Sequence, residues 1–168
     1  YMVLTAKHHE GFCLWDTRTT DYKITKTPFG RDLVREYVAA ARAEGLKVGL
    51  YYSLIDWHHP DFLVDSRHPL RPAEFTDEIY EKLNAGRDWN RYRDYMYAQV
   101  KELLTDYGKI DIIWYDYTVQ EKYGKNWKHW ESVELMKLTR RLQPGIIVDN
   151  RLDLMDTEDG WDFVTPEQ

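Results

Sequence analysis

The run Lys109-Ile110-Asp111-Ile112-Ile113-Trp114-Tyr115-Asp116 constrains this chain more than any other stretch. Rich in β-branched and aromatic residues, entered from Gly108 and closed by an acid, it predicts a strand buried on both faces. A carboxylate at the end of such a strand adds nothing to packing and costs desolvation, so its presence asks for a chemical reason. Asp111, early in the run, is expected at the strand's solvated N-terminal mouth. Asp116 falls at the opposite end, where parallel α/β folds carry their active sites; the competing reading is an aspartate that caps the next turn.

The rest of the chain alternates around that run. Residues 1–6 (YMVLTA) and 47–53 (KVGLYYS) read as strands, and residues 146–150 (IIVDN) as a fourth. Between the first two, Gly30-Arg31-Asp32 opens a helix with Leu33, Tyr37, Ala40 and Ala41 at helical spacing; Asp32 favours its positive end, and Gly45 closes it as a left-handed cap. Trp89, Tyr92, Met96, Val100, Leu103 and Tyr107 recur at three- and four-residue steps and predict a strong helix that Gly108 stops. Residues 61–87 are polar, contain proline and are weakly periodic, which predicts a long loop with a turn of helix near 73–83. A last helix is expected over about 130–142, with Val133, Met136 and Leu142 inward, ended by Gln143-Pro144-Gly145.

Strand, helix, strand, helix, strand, helix, strand is the grammar of a parallel sheet with crossover helices. Each strand is followed by polar and aromatic residues, so the chemistry gathers at one rim. An open doubly wound sheet and part of a closed (β/α)8 barrel both fit. No glycine-rich phosphate fingerprint follows any strand, which disfavours nucleotide binding. Four strands cannot close an eight-stranded barrel, for which about 250 residues is typical. On the barrel reading the chain is an internal piece.

Composition narrows the function classes. A net charge of −6 lacks the clustered excess of Lys and Arg that a nucleic-acid footprint needs. No segment approaches the apolar length of a membrane span, and none resembles a signal peptide. The aromatic residues are dominated by 13 Tyr and 7 Trp against 5 Phe, and rings with a polar tip suit surfaces that hold sugars. The single cysteine, Cys13, excludes an internal disulfide framework and is expected to be a small buried hydrophobe.

His8-His9 and His58-His59 supply four imidazoles beside strand ends. Adjacent residues in a strand point to opposite faces, which is poor metal-ligand geometry, so hydroxyl recognition at the rim is the better-supported role and no metal is expected. In Tyr51-Tyr52 the same alternation sends one ring inward and one, Tyr52, into the helix layer. Asp149 is expected to support the rim by hydrogen bonding, and Asp153, Asp156, Glu158 and Asp159 to form a solvated acidic loop face.

Lys7-His8-His9-Glu10-Gly11-Phe12-Cys13-Leu14-Trp15 resembles the Lys-His-His-Asp-Gly-Phe signature of the α-L-fucosidases of glycoside hydrolase family 29. The resemblance continues through Thr20-Asp21-Tyr22, Arg31-Asp32-Leu33-Val34, Gly49-Leu50-Tyr51-Tyr52-Ser53, Asp56-Trp57, Trp114-Tyr115-Asp116 and Asp149-Asn150-Arg151, in family order at family-like spacing. It implies a retaining exo-hydrolase that removes terminal α-L-fucose from glycans, on a (β/α)8 TIM-like barrel with a C-terminal β-sandwich. By position it implies Asp116 as nucleophile, His8, His9, Tyr51 and Arg151 as residues that hold fucose, and Trp57 beside the pocket. Asp162-Phe163-Val164-Thr165-Pro166-Glu167 looks like the segment that carries the general acid/base in many members, which gives that role to Glu167. Glu10 departs from the commoner Asp.

The resemblance further implies that residues 1–168 are one partial barrel domain, about four consecutive parallel strands with their crossover helices, without the flanking strands or the sandwich. No cofactor is implied, the partner is a fucosylated glycan or oligosaccharide, and secretion or the periplasm follows by family analogy. A fucose-binding fragment or pseudoenzyme without turnover, and a metal-dependent barrel enzyme using the four histidines, are the alternatives.

Overall fold

The computed structural model describes residues 1–154 and 160–166. Four parallel strands form one sheet in the order β1-β2-β3-β4: β1 Met2–Lys7, β2 Val48–Ser53, β3 Ile112–Asp116 and β4 Ile147–Val148. The helices between them are α1 Leu33–Ala43, α2 Asp77–Asn84, α3 Trp89–Thr105, the short α4 Trp127–Trp130 and α5 Ser132–Leu142.

Strand alternation divides the sheet into two unlike faces. Leu50, Tyr52, Ile113, Tyr115 and Val148 are buried under the helices. Tyr52 donates its hydroxyl to Gln99 of α3 at 2.8 Å, and Tyr115 pairs with Thr139 of α5 at 2.7 Å, so both phenols are core residues with satisfied tips. The opposite face carries Val3, Ile112, Trp114 and Ile147, which with Tyr1, Asp162 and Phe163 line an open depression of about 380 Å³. Gly49 lies on this face where β1 and β3 flank β2 closely. A Cβ there would meet Val3 Cγ2 at 2.7 Å, so only glycine fits.

Several elements differ from the pattern-based expectation. The 73–83 region holds α2, more than two turns long, begun by Thr76 accepting from the Ile79 N–H. The last helix is two: Glu131 adopts a left-handed conformation at φ 50° and separates α4 from α5, and Tyr97 secures the break by donating to the Glu131 carbonyl at 2.9 Å. That phase puts Leu135, Met136 and Thr139 inside and leaves Val133 36% exposed, correcting its inward assignment. In α1 the buried set is Val34, Val38 and Ala41, one position on from Leu33 and Tyr37. Strand β4 keeps only two residues because Asp149 turns away into a 3-10 turn, Asn150–Leu152. Asp111 is indeed at the mouth of β3, where it also accepts the Val48 N–H at 3.0 Å. Cys13 is buried, its thiol pushed up to about 12 by burial.

Candidate active site

Asp116 ends β3, and the register that pairs it with Ser53 puts Tyr51, two residues back, on the same face of β2. The Tyr51 hydroxyl donates to Asp116 Oδ2 at 2.5 Å, the Tyr117 N–H donates to Oδ1 at 2.8 Å, and Arg151 Nη1 reaches Oδ1 at 3.4 Å. Three donors thus converge on one carboxylate and fix its orientation. Its side chain is 18% exposed, so it is held by protein and still open to a ligand. Burial, then Asp116 itself, raises the Tyr51 hydroxyl well above its ordinary range, which keeps it a donor.

The chain leaving β1 presents His8 and His9. Their rings lie 4.1 Å apart, and His8 stacks on Tyr51 at 5.8 Å with 12° between planes. His9 Nδ1 is 2.7 Å from Ser53 Oγ, and its ring meets the edges of Trp57 and Tyr117, each at 5.4 Å. Burial and then the neighbouring His8 push His9 down to about 4, with Asp116 opposing, so its imidazole is neutral at physiological pH. His8 is the more open of the two and faces Glu10 at 3.2 Å.

Arg151 comes from the 3-10 turn after β4. Thr165 aims it, accepting from Nε on Oγ1 at 2.6 Å and from Nη2 on its carbonyl at 3.0 Å, while the Thr165 N–H donates to Asn150 Oδ1 at 3.0 Å. Beneath the rim, buried Asp149 accepts the Tyr115 N–H at 3.0 Å, the supporting role expected of it. Trp57 donates its backbone N–H to the His9 carbonyl at 2.8 Å. The indole Nε1 of Trp57 and the hydroxyl of Tyr117 are buried with no hydrogen-bond partner among the described residues.

Asp116, His8, His9, Tyr51, Trp57 and Arg151 therefore meet at one end of the sheet. Glu167 lies outside the described residues, as do Asp156, Glu158 and Asp159 of the acidic run. The two histidine pairs do not converge. His58 stacks on Tyr22 at 3.9 Å and His59 lies against Tyr95 at 4.3 Å. Among the described residues no group of three His, Cys, Asp or Glu side chains is placed to hold a metal ion.

Tyr117 belongs to the site and went unnoticed in the sequence, while Ser53 and Thr165 stood inside the family-like motifs without a role assigned to them. Tyr117 combines a backbone donor to Asp116 with a ring against His9, and its φ of 82° is a costly conformation for an aromatic residue. Nothing local in the sequence announces that angle; its position directly after a strand-end acid was the available signal.

A parallel sheet with helices on one face and a donor-anchored carboxylate at its C-terminal rim is the architecture of a (β/α)8-barrel site. Comparison with known proteins narrows the class. An alpha-L-fucosidase family model matches residues 1–168, and the chain belongs to that family. The α-L-fucosidase of Dictyostelium discoideum is 29% identical over 154 residues, covering 90% of this chain and 30% of that protein. The plasma α-L-fucosidase of Homo sapiens is 40% identical over 91 residues, 50% of this chain and 20% of that one. Among solved structures, α-L-fucosidase isoenzyme 1 from Paenibacillus thiaminolyticus matches with a TM-score of 0.79 and 52% identity over 90% of this chain and 34% of that chain. The AlfC fucosidase from Lactobacillus casei, solved with α-L-fucose product, matches with a TM-score of 0.75 and 28% identity over 98% and 50%. The sheet is thus a section of a (β/α)8 barrel, and the chain spans less than a third of these curated relatives and at most half of these solved chains.

Proposed function

We propose that this protein is a retaining exo-α-L-fucosidase acting on terminal α-L-fucosides of glycans, and that residues 1–168 form one partial barrel domain supplying its nucleophile and part of its sugar pocket. The observation that carries this reading is the Asp116 carboxylate, anchored by Tyr51, Tyr117 and Arg151 and still open beside His8, His9 and Trp57. Family membership supplies the sugar: the AlfC relative was solved holding α-L-fucose.

Asp116 attacks the anomeric carbon and forms a fucosyl ester as the bond to the leaving oxygen breaks. Glu167 protonates that oxygen, then takes a proton from water, whose oxygen cleaves the ester and regenerates Asp116. The role of Glu167 rests on its place two residues after Thr165, which is bonded to Arg151, and on its match to the family segment. A retaining pair stands about 5 to 5.5 Å apart. Neutral His9, the Tyr51 hydroxyl oxygen as an acceptor and the Arg151 guanidinium as a donor pair with sugar hydroxyls, and Trp57 offers an apolar surface to the 6-methyl group.

The test is hydrolysis of 4-nitrophenyl α-L-fucoside followed by NMR. The first product should be the α-anomer, Asp116→Gly should abolish turnover, and Glu167→Ala should slow substrates with poor leaving groups far more than the aryl fucoside, with partial rescue by azide. Release of β-fucose first would overturn the retaining mechanism. Fucose binding with no turnover by the unaltered protein would favour a binding-only role.

A further inference from the structure

The catalytic reading makes no use of two buried charged residues directly behind the rim. Lys7 and Asp56 are 0% and 1% exposed, with Nζ 3.7 Å from Oδ2 and the ammonium 4.4 Å from the centre of the Tyr52 ring. Both immediately precede recognition residues, Lys7 before His8-His9 and Asp56 before Trp57. Local bonds and α3 fix Asp56 in its own segment, and contacts from the His8-His9 segment close onto it. Oδ1 accepts the His58 and His59 N–H groups at 3.0 and 2.9 Å, and Oδ2 accepts the Tyr95 hydroxyl at 3.0 Å. From the other segment, Gly11 at φ +84° presses onto the same carboxylate so closely that a Cβ would lie 2.0 Å from Oδ1. The Trp57 N–H then bonds the His9 carbonyl at 2.8 Å, and the two rings sit 5.4 Å apart.

Burying two charges is costly and is tolerated where attraction and hydrogen bonds satisfy them. Here Asp56 has three hydrogen-bond donors and Lys7, while among the described residues Lys7 Nζ makes no hydrogen bond and faces Asp56 beside the Tyr52 and Tyr95 rings. The cation therefore adds little that a local turn would need. Its attraction acts between segments 49 positions apart in sequence.

We infer that Lys7 and Asp56 are positioning residues, a buried electrostatic latch that fixes the His8-His9 segment against the Trp57 segment and so sets the width of the fucose pocket. Neither touches the sugar. The inference rests on the fucosidase reading for its effect on substrate, and on geometry alone for its effect on the two segments.

The test compares Lys7→Met, Asp56→Asn and the double variant with the unaltered protein by hydrogen exchange, chemical unfolding and kinetics on 4-nitrophenyl α-L-fucoside. In each single variant the Trp57 amide should exchange at least tenfold faster, while Leu50 and Tyr52 amides in β2 keep their protection. KM should rise at least tenfold with kcat changed less than threefold. The double variant, with no lone buried charge, should regain stability yet keep the high KM and the fast Trp57 exchange. Recovery of KM together with stability, or an unchanged Trp57 amide in a folded single variant, would overturn the latch. If Lys7→Met fails to fold, Asp56→Asn decides, because the carboxamide keeps the side chain's size and its acceptor for the two backbone donors. If the unaltered protein releases no nitrophenol, the fucosidase reading fails and the exchange measurement alone decides the latch.

Discussion

The carboxylate of Asp116 is shaped by what donates to it. Tyr51 is the shortest of its contacts, and its hydroxyl stays protonated because burial and the neighbouring charge both resist ionisation. A hydrogen bond to a charged group contributes about 1.5–3 kcal/mol, so Tyr51→Phe should lower kcat/KM about 10- to 100-fold on the aryl fucoside. A loss under threefold would leave Arg151 and Tyr117 as the only donors that matter. Asp149 poses the opposite problem. It is buried, Oδ2 has no hydrogen-bond partner among the described residues, and burial pushes its carboxyl up to about 8 against the pull of the Tyr115 N–H and Arg151. Between the ordinary carboxylate range and pH 8 the folded protein then holds a proton that the unfolded chain releases. Its contribution to stability is complete below the unfolded pKa and is lost as pH rises towards 8. Asp149→Asn mimics the neutral acid and keeps the acceptor for Tyr115. Its stability relative to the parent in urea should rise from pH 4 to pH 8, and a flat difference would mean that Asp149 titrates normally.

The start of α1 at Asp32 was visible in the chain, but what else that residue joins was not. Asp88 caps α3 by accepting the Asn90 and Arg91 N–H groups, a purely local duty. Asp32 caps α1 through the Arg35 N–H and also accepts the Asp16 N–H at 3.2 Å and the Tyr107 hydroxyl at 2.7 Å, joining the loop after β1 to the end of α3. Asp88→Ala should therefore cost about 1 kcal/mol, as an ordinary cap does, and Asp32→Ala about 2–3 kcal/mol, read from urea unfolding. Equal losses would show that the two long-range bonds of Asp32 add nothing. The same distinction explains the split between α4 and α5. The apolar spacing runs on through 130–142, and the left-handed Glu131 that interrupts it is secured by Tyr97, a residue of another helix.

Across the molecule, the sheet is covered by helices on one face and forms an open apolar depression on the other. Tyr1, Met2 and Ile147 are 78%, 51% and 44% exposed, and among the described residues the outer edges of β1 and β4 carry only short bridges, from Cys13-Leu14 and from Asp162-Phe163. Edges paired over only a residue or two and an apolar face of this kind invite association. Residues 1–168 expressed alone should bind a hydrophobic dye such as ANS and self-associate in light scattering, whereas a protein carrying the complete barrel should do neither. A monomeric, dye-silent fragment would argue against a barrel section needing further strands. The alternation of strands and helices and the buried phase of α3 were legible from residue types alone, because periodicity, capping and turn chemistry act over a few neighbours, whereas the ordered motifs from Lys7 to Arg151 were legible only through their resemblance to a known family. Those local rules also placed Asp116, His8, His9, Tyr51 and Arg151 after or within strands. They could not bring Tyr51 to Asp116 across 65 positions, turn Thr165 onto Arg151, or bury Lys7 against Asp56, since each contact depends on parallel register and loop packing that no single segment encodes. Sequence determined which groups stand at the strand ends; only the assembled sheet decided which of them share a hydrogen bond, because distance along the chain and distance in space are related only after the strands have paired.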